Sequence, residues 1–184
     1  MLEFFSLKPK TFGLDISDLC LKAVRLKGES KFSNVASFVE TDIKPGIIEA
    51  GEIKDENSLA KIVKESLLHM KGEKIRTKYV VASLPEEKAF SQVIQLPKMK
   101  EDDLKSAVLF EAENYIPLPI DSMYLDFQVI TPLHNHLDHL DVLISALPHS
   151  TVDPYISVFK KIGLFPVALE IESQAIARAL IKKE

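Results

Sequence analysis

The most constraining feature of the sequence is the order in which strand-type and helix-type patterns follow one another. Three segments rich in β-branched and aromatic residues come first, at 12–17, 20–27 and 31–43. Apolar residues at helical spacing follow at 59–70, and the continuous apolar run KYVVASLP at 78–85 then indicates a buried strand. The first part of the chain therefore predicts the order βββαβ, in which the first three strands are antiparallel.

A different group of patterns begins after Glu86. The segment KAFSQVIQLP predicts a strand, KMKEDDLKSAVLFEAENYIP a helix that ends at Pro117, and YLDFQVIT and LDVLISALP two further strands. A helix from about Asp153 would accommodate Pro154 in its first turn. The run FPVALEI at 165–171 indicates another buried strand, and the last helix is expected to run to the end of the chain. Together these patterns predict a mixed α/β (α+β) fold that contains a small βαββ module.

Composition and charge exclude several classes of function. With 184 residues and 46% hydrophobic content, the chain can bury a sizeable core. Its charged residues are mixed in sign and give a net charge of -4, so it has no basic field that would hold nucleic acid by its phosphates. The single cysteine, Cys20, excludes an intrachain disulfide framework, and the apolar runs are too short to span a membrane. These features favour a cytoplasmic globular protein that does not bind nucleic acid.

The stretch FGLDISDLCLKAVRL contains the main candidate site. It reads as two strands joined by a short polar turn, with Asp15 and Lys22 facing the same turn. The backbone N–H groups of such a turn can hold a phosphate, and an aspartate beside it can hold Mg²⁺ through water. The candidate cofactor-binding residues are Asp15, Ser17, Asp18 and Lys22. The alternative is that Asp15 and Asp18 only form hydrogen bonds within their own turn.

A second group of polar residues lies in the segment LHNHLDHLD. His134, His136 and His139 have a spacing that could bind Zn²⁺ or Ni²⁺. They fall in a predicted connection between strands and have no cysteine beside them. A solvated loop is therefore the favoured interpretation.

Several motifs in the same order as in a known family link the chain to that family. They are FGLDISDLCLKAVRL, GEIKD, ASLP, FEAENYIPLPID, YLDFQVI and VALEIESQAIARAL. In these the chain resembles the N-terminal half of the PilM family of type IV pilus assembly proteins, which are related to the cell-division protein FtsA in the actin-like ATPase superfamily. The resemblance implies an actin-like first lobe with a mixed sheet, flanking helices and a small inserted subdomain. Its core would comprise residues 1–86 and 165–184, its insert residues 87–164, and the second lobe would be absent from this chain.

The resemblance also implies roles for the candidate site residues. ATP and Mg²⁺ would bind in the intact protein, with Asp15 orienting the metal and its water, Lys22 approaching the phosphates and Glu172 near the metal and the attacking water. The family usually has glycine and small hydroxyl residues after the aspartate, whereas this chain has Ser17 and Asp18, and Asp18 brings negative charge towards the phosphates. At most a weak ATPase is expected, and this chain alone is expected to be inactive and without bound nucleotide.

The segment FEAENYIPLPID is the candidate partner surface. It could pack the insert onto the core, or it could leave an apolar ledge for an incoming peptide. The resemblance implies that the groove between core and insert receives the cytoplasmic N-terminal peptide of PilN, an inner-membrane pilus protein, with Tyr115, Pro117 and Pro119 at its border.

The function implied by the resemblance is that of a cytoplasmic scaffold, associated with the inner membrane through its partners. Other proteins of the pilus platform are expected partners, and the small sheet of the insert could support self-association through an unpaired edge. The alternatives are an interaction module that does not use nucleotide and a small-molecule kinase of the same superfamily. A related secretion machine could use the same scaffold in place of a pilus.

Overall fold

The computed structural model of the protein describes residues 10–28, 34–130 and 138–181, without the side chain of Glu101. His134 and His136, which the sequence analysis assigned to a solvated loop in preference to a metal site, lie outside these ranges. The helices and strands, in chain order, are β1 (Phe12–Ile16), β2 (Cys20–Lys27), β3 (Asn34–Asp42), β4 (Ile48–Glu49), β5 (Glu52–Ile53), α1 (Glu56–Leu68), β6 (Lys71–Gly72), β7 (Tyr79–Leu84), β8 (Phe90–Pro97), α2 (Glu101–Ala112), β9 (Met123–Ile130), β10 (His139–Pro148), α3 (His149–Lys161), β11 (Phe165–Ile171) and α4 (Glu172–Leu180).

The chain divides into two compact units. Unit 1 comprises Met1–Glu86 and Asp153–Glu184, and unit 2 comprises Glu87–Val152. The first boundary coincides with the predicted one. The second does not, because residues 153–164 cluster with unit 1, whereas the resemblance implied that they belong to the insert.

Unit 1 is built on a six-stranded mixed sheet with the order β11-β7-β1-β2-β3-β6. Strands β1, β7 and β11 are parallel to one another, while β1, β2, β3 and β6 form antiparallel pairs. The predicted combination of antiparallel and parallel strands is therefore confirmed. Parallel neighbours need a long connection, and the whole of unit 2 lies in the connection between β7 and β11.

One face of this sheet is apolar and closed. Alternate residues of the strands are buried on it: Phe12, Leu14 and Ile16 of β1, Leu21 and Ala23 of β2, and Val80, Ala82 and Leu84 of β7. Helix α1 packs on this side, where the Ser66 hydroxyl donates a 2.9 Å hydrogen bond to the Thr41 hydroxyl of β3. The start of α1 is fixed by Asp55, whose carboxylate accepts hydrogen bonds from the N–H groups of Asn57 and Ser58.

Helix α3 explains why residues 153–164 belong to unit 1. The Tyr155 hydroxyl donates to the Gly51 carbonyl at 3.1 Å, and the side chains of Ser157 and Lys161 donate to Glu56 at the start of α1 at 2.7 and 2.8 Å. These bonds hold α3 beside α1. The helix begins at His149 instead of about Asp153, so Pro154 lies inside it and not in its first turn.

The last two elements also differ from their predictions. Strand β11 is at the edge of the sheet, and Phe165 and Val167 are exposed, so it is not the buried strand that its apolar run indicated. Its continuous apolar sequence reflects an uncovered surface, which sequence periodicity does not distinguish from a buried one. Helix α4 ends at Leu180, and Ile181 is extended.

Unit 2 has the predicted βαββ order. Its antiparallel sheet has the order β8-β10-β9. Helix α2 contributes Leu104, Val108 and Ala112 to a core that also contains Ile94, Leu96, Ile116, Met123, Val142, Ile144 and Ala146. In the part of the chain that the structure describes, no helix combines the length and the apolar character needed to cross a membrane.

Candidate functional site

A row of polar residues crosses the open face of the sheet in unit 1. Lys22 of β2 is directly opposite Asp15 of β1 on one side and Glu40 of β3 on the other. Glu170 of β11 is opposite Ser83 of β7, and the Ser83 hydroxyl donates a hydrogen bond to Asp15 Oδ1. Side chains alternate between the faces of a sheet, so these five residues share the face opposite to the closed one.

An apolar floor lies next to the polar row, two residues away from it along strands β1, β2, β3 and β7. It is formed by Val81, Gly13, Val24 and Phe38, which are again opposite one another across the strands. A Cβ atom added to Gly13 would lie 3.5 Å from Val24 Cγ1, which is ordinary contact. Gly13 therefore leaves the centre of the floor without a side chain, although a Cβ atom would fit there.

Helix α4 forms a wall of the cleft above this floor. The residues that it contributes recur at helical spacing: Glu172, Ala175, Ile176 and Ala179. The Ser173 N–H donates a 3.1 Å hydrogen bond to Glu86 Oε2, and Arg178 forms a 3.2 Å ion pair with Glu170. Floor, polar row and helix enclose a cleft of about 890 Å³.

The structure brings most of the predicted nucleotide-site residues to this cleft. Asp15, Ser17, Lys22 and Glu172 all line it. The hydrogen bond from Ser83 fixes one oxygen of Asp15, and Lys22 is exposed without an ion pair to any described carboxylate. An oriented carboxylate and an available ammonium group therefore lie side by side.

Asp18 does not line the cleft. Its carboxylate accepts hydrogen bonds from the N–H groups of Ala50 at 2.7 Å and Gly51 at 3.0 Å, in the turn between β4 and β5. Ala50 has a φ of 48°, in the left-handed region, and the two bonds support that conformation. Asp18 thus stabilises a distant turn, which is neither the predicted cofactor contact nor a bond within its own turn.

Ser17 lines the cleft but closes its own turn. Its N–H and its hydroxyl both donate to the Cys20 carbonyl, at 2.9 and 3.1 Å. The N–H of Ser17 is therefore already used within the protein. The turn therefore has fewer free hydrogen-bond donors for a phosphate.

Three polar residues of the cleft were missed by the sequence analysis. Ser83, Glu40 and Glu170 all line it. Glu40 pairs with Lys22, Ser83 donates a hydrogen bond to Asp15, and Glu170 pairs with Ser83. Counting in steps of two along β3, β7 and β11 would have assigned them to one face. Their alignment in a row depends on strand register, which the sequence did not give.

Cys20 lies next to the row but is not a candidate nucleophile. Burial raises the pKa of its thiol, and so does the hydrogen bond that its Sγ makes to Glu40 Oε1 at 3.5 Å. Since the thiolate is the nucleophilic form, both effects lower the fraction of the reactive form of this cysteine.

The residues of the cleft could supply one or two ligands to a metal ion, and water or phosphate oxygens would have to supply the others. Among the described residues no group of three or more His, Cys, Asp or Glu side chains is placed to bind a metal ion. Mg²⁺ commonly uses one or two carboxylates together with waters and phosphate oxygens, and Asp15 can supply such a carboxylate.

His139, predicted to lie in a solvated loop, begins β10 and its Nε2 is 3.4 Å from Asp141 Oδ1.

The predicted partner surface lies in unit 2. Ile116 is buried in the core there, whereas Tyr115 is 45% exposed and Pro117, Leu118 and Pro119 are exposed around it. The buried side chain of Ile116 therefore anchors the segment, and the residues beside it are exposed on the surface of unit 2. This is an apolar ledge on unit 2.

Comparison with known proteins gives a consistent family. The sequence model described as type IV pilus assembly protein PilM matches residues 13–183. A solved structure, the PilM-PilN type IV pilus biogenesis complex, is 30% identical to the chain with a TM-score of 0.83, and the match covers 94% of this chain and 50% of that one. The chain thus spans about half the length of that relative.

A more remote structure shows the fold alone. The cytoplasmic domain of EpsL, an inner-membrane component of the type II secretion system of Vibrio cholerae, is 10% identical with a TM-score of 0.57. That match covers 95% of this chain and 60% of the other. Both neighbours have the actin-like ATPase fold, which confirms the predicted fold class.

Proposed function

The chain belongs to the PilM family of type IV pilus assembly proteins, and we propose that it acts as a scaffold on the cytoplasmic side of the pilus assembly platform. Its partner would be the N-terminal peptide of a PilN-like inner-membrane protein, which would hold it at the membrane. The observation that carries this proposal is the match of 94% of the chain to the PilM-PilN complex at 30% identity.

The cleft supports binding of ATP with Mg²⁺ in the whole protein. Asp15, oriented by Ser83, would hold the metal through water, and Lys22 would approach the phosphates as a positive charge. Glu172 would position a water near the metal. Bound Mg²⁺ would neutralise phosphate charge.

Binding of nucleotide should depend strongly on the metal. The cleft contains four carboxylates, those of Asp15, Glu40, Glu170 and Glu172, and one unpaired ammonium group among its described residues. A phosphate without a cation would meet a net negative surface. We therefore expect nucleotide to bind as its Mg²⁺ complex, with hydrolysis weak at most.

The alternative is an interaction module that does not use nucleotide. It is favoured by Ser17, whose N–H and hydroxyl are both bonded to the Cys20 carbonyl. A phosphate-binding turn would be expected to leave such donors available.

The peptide would bind beside the ledge of unit 2. Exposed Tyr115 and the prolines at 117 and 119 offer apolar surface with little conformational freedom, which limits the entropy lost on binding. Other platform proteins and further copies of the chain remain proposed partners of the same scaffold.

Calorimetric titration tests both parts. A synthetic copy of the N-terminal tail of the PilN-like protein should bind this chain saturably with or without ATP, and Tyr115→Ala should weaken it at least about tenfold. Leu68→Ala, a change of an exposed apolar residue on α1, should have no effect. Equal loss in both variants would contradict the proposed border.

The nucleotide arm uses the whole protein expressed from its gene. ATP should bind only with Mg²⁺, and Asp15→Asn should weaken ATP binding at least about tenfold, since the carboxylate that holds the metal through water is lost. Glu65→Gln on α1, which removes the same negative charge, serves as the control. Peptide binding without any ATP binding would favour the nucleotide-free module.

A further inference from the structure

A second concave surface lies at the other end of β7. It is lined by six residues, here called the basic pocket: Lys10, Arg76, Thr77, Lys78, Tyr79 and Phe165. Its volume is about 410 Å³. Tyr79 begins β7, and Ser83 of the polar row is roughly 13 Å further along the same strand. None of the six residues lines the cleft under α4.

The basic pocket has a local excess of positive charge. Lys10, Arg76 and Lys78 line it, and no described carboxylate does. None of the three forms an ion pair with a carboxylate in the described ranges. By contrast, Arg25 and Lys27 share Glu73 elsewhere in unit 1. Three cations that form no ion pair among the described residues lie around one concavity, in a chain with a net charge of -4. They form a site for an anionic group.

An aromatic wall stands beside these cations. The rings of Tyr79 and Phe165 are 6.1 Å apart between centroids, and the residues are 44% and 55% exposed. The backbone holds them there, because Phe165 is opposite Tyr79 in the ladder and its N–H donates to the Lys78 carbonyl at 2.8 Å. The Tyr79 N–H donates to the Thr77 hydroxyl at 3.1 Å. The wall is therefore preorganised for an apolar group.

We propose that the basic pocket binds a short acidic segment of a partner protein. Carboxylates of the segment would form charge-assisted hydrogen bonds with Arg76, Lys78 and Lys10, and an adjacent aromatic or aliphatic side chain would lie against Tyr79 and Phe165. The pairing of an anion with an apolar side chain distinguishes this ligand from a free phosphate, which has no use for the wall.

A peptide fits the pocket better than a membrane surface does. The three cations lie around one concavity, which a side chain of a peptide can enter and a flat bilayer surface cannot. The two rings contact each other at the side of a concavity, whereas side chains that enter a bilayer project from a surface.

Addition of a strand to β11 is disfavoured at this point. The Phe165 N–H points towards β7, so the following position faces the free edge, and it is occupied by Pro166, which has no N–H. Recognition would therefore rest on side chains.

The test uses the entire chain and a fluorescein-labelled seven-residue peptide that alternates glutamate with phenylalanine. Anisotropy should show saturable binding that weakens with salt, and a peptide with glutamine in place of glutamate should bind at least about tenfold more weakly. The double variant Arg76→Gln with Lys78→Gln should show the same loss. Phe165→Ala should abolish the preference for phenylalanine over alanine in the peptide.

The matched control is Lys61→Gln with Lys64→Gln, which removes the same charge from the exposed side of α1. It should bind the acidic peptide within about twofold of the wild type. Equal weakening in both double variants would overturn the proposal by showing only non-specific charge attraction. So would binding to phosphatidylglycerol vesicles, measured by flotation, without binding to the peptide. Thermal unfolding of each variant checks that the fold is retained.

Discussion

The two faces of the sheet in unit 1 are made by the same strands and have opposite characters. On the closed face, Phe12 and every second residue after it in β1 are buried. Helix α1 packs there, and its Ser66 is hydrogen-bonded to Thr41 of β3. On the open face, the polar row and the apolar floor line a cleft that α4 borders. Because successive residues of a strand point to opposite sides, a single sheet supplies stability with one set of residues and a binding surface with the other.

The largest expected effect compares two phenylalanines of this sheet. Phe12 is 2% exposed on the closed face, and Phe38 is 50% exposed on the open one. Phe12→Ala should lower the free energy of unfolding by about 3–5 kcal/mol, because it removes a large side chain from a packed core. Phe38→Ala should change it by less than about 1 kcal/mol. Urea denaturation of both variants measures the difference.

A large loss in Phe38→Ala would remove the contrast between the two faces. It would mean that the open face is packed in solution, for example against another copy of the chain. Repeating the denaturation over a range of protein concentrations would reveal such packing, because stability would then rise with concentration.

A smaller effect compares two serines that donate hydrogen bonds on opposite faces. Ser66→Ala should cost about 1–2 kcal/mol, because it leaves the Thr41 hydroxyl without its partner beneath α1. Ser83→Ala should cost less than about 1 kcal/mol, since water entering the cleft can replace its bond to Asp15. Thermal unfolding of both variants tests this order, and a reversed order would contradict the assignment of the open face.

The smallest effect concerns the helices beside the closed face and depends on pH. Hydrogen bonds from Lys161 first, and then from Ser157, lower the pKa of Glu56. The lowered pKa adds stability that is present above the unfolded value of the carboxyl group and is lost as pH falls through the folded one. Glu56→Gln should therefore cost about 0.5–1 kcal/mol near neutral pH and less in acid.

Urea denaturation of Glu56→Gln at about pH 7 and about pH 3 measures this dependence. Glu65→Gln, an exposed change on the same helix, serves as the control. A difference between Glu56→Gln and the wild type that stays constant with pH would exclude the carboxylate as its source.

The sequence predicted the structural features that depend on residues close to one another in the chain. The alternation of patterns gave the βββαβ and βαββ orders of the longer elements, but not the two-residue strands β4, β5 and β6. The hairpin of β1 and β2 placed Asp15 opposite Lys22. Helical spacing gave most of α1 and α2. These features follow from periods of two and about 3.6 residues, which a linear sequence displays directly.

The features that the sequence did not predict depend on residues far apart in the chain. Asp18 is occupied by the N–H groups of Ala50 and Gly51, about 30 residues further on, so its absence from the cleft could not be seen in its own turn. The pairing of Ser83 with Glu170 requires β7 and β11 to meet across the whole of unit 2. Such contacts are set by tertiary packing and not by local pattern.

The insertion of unit 2 between β7 and β11 has a consequence for synthesis on the ribosome. Roughly 80 residues separate the end of β7 from Phe165, so at about 5–20 residues per second the far edge of β7 waits roughly 4–16 s for its last neighbour. The strands of unit 2 are consecutive and can pair as they emerge. Unit 2 can therefore be complete while the older part of the chain still presents an open edge, and a translational pause before β11 would prolong the exposure of that edge to other nascent chains.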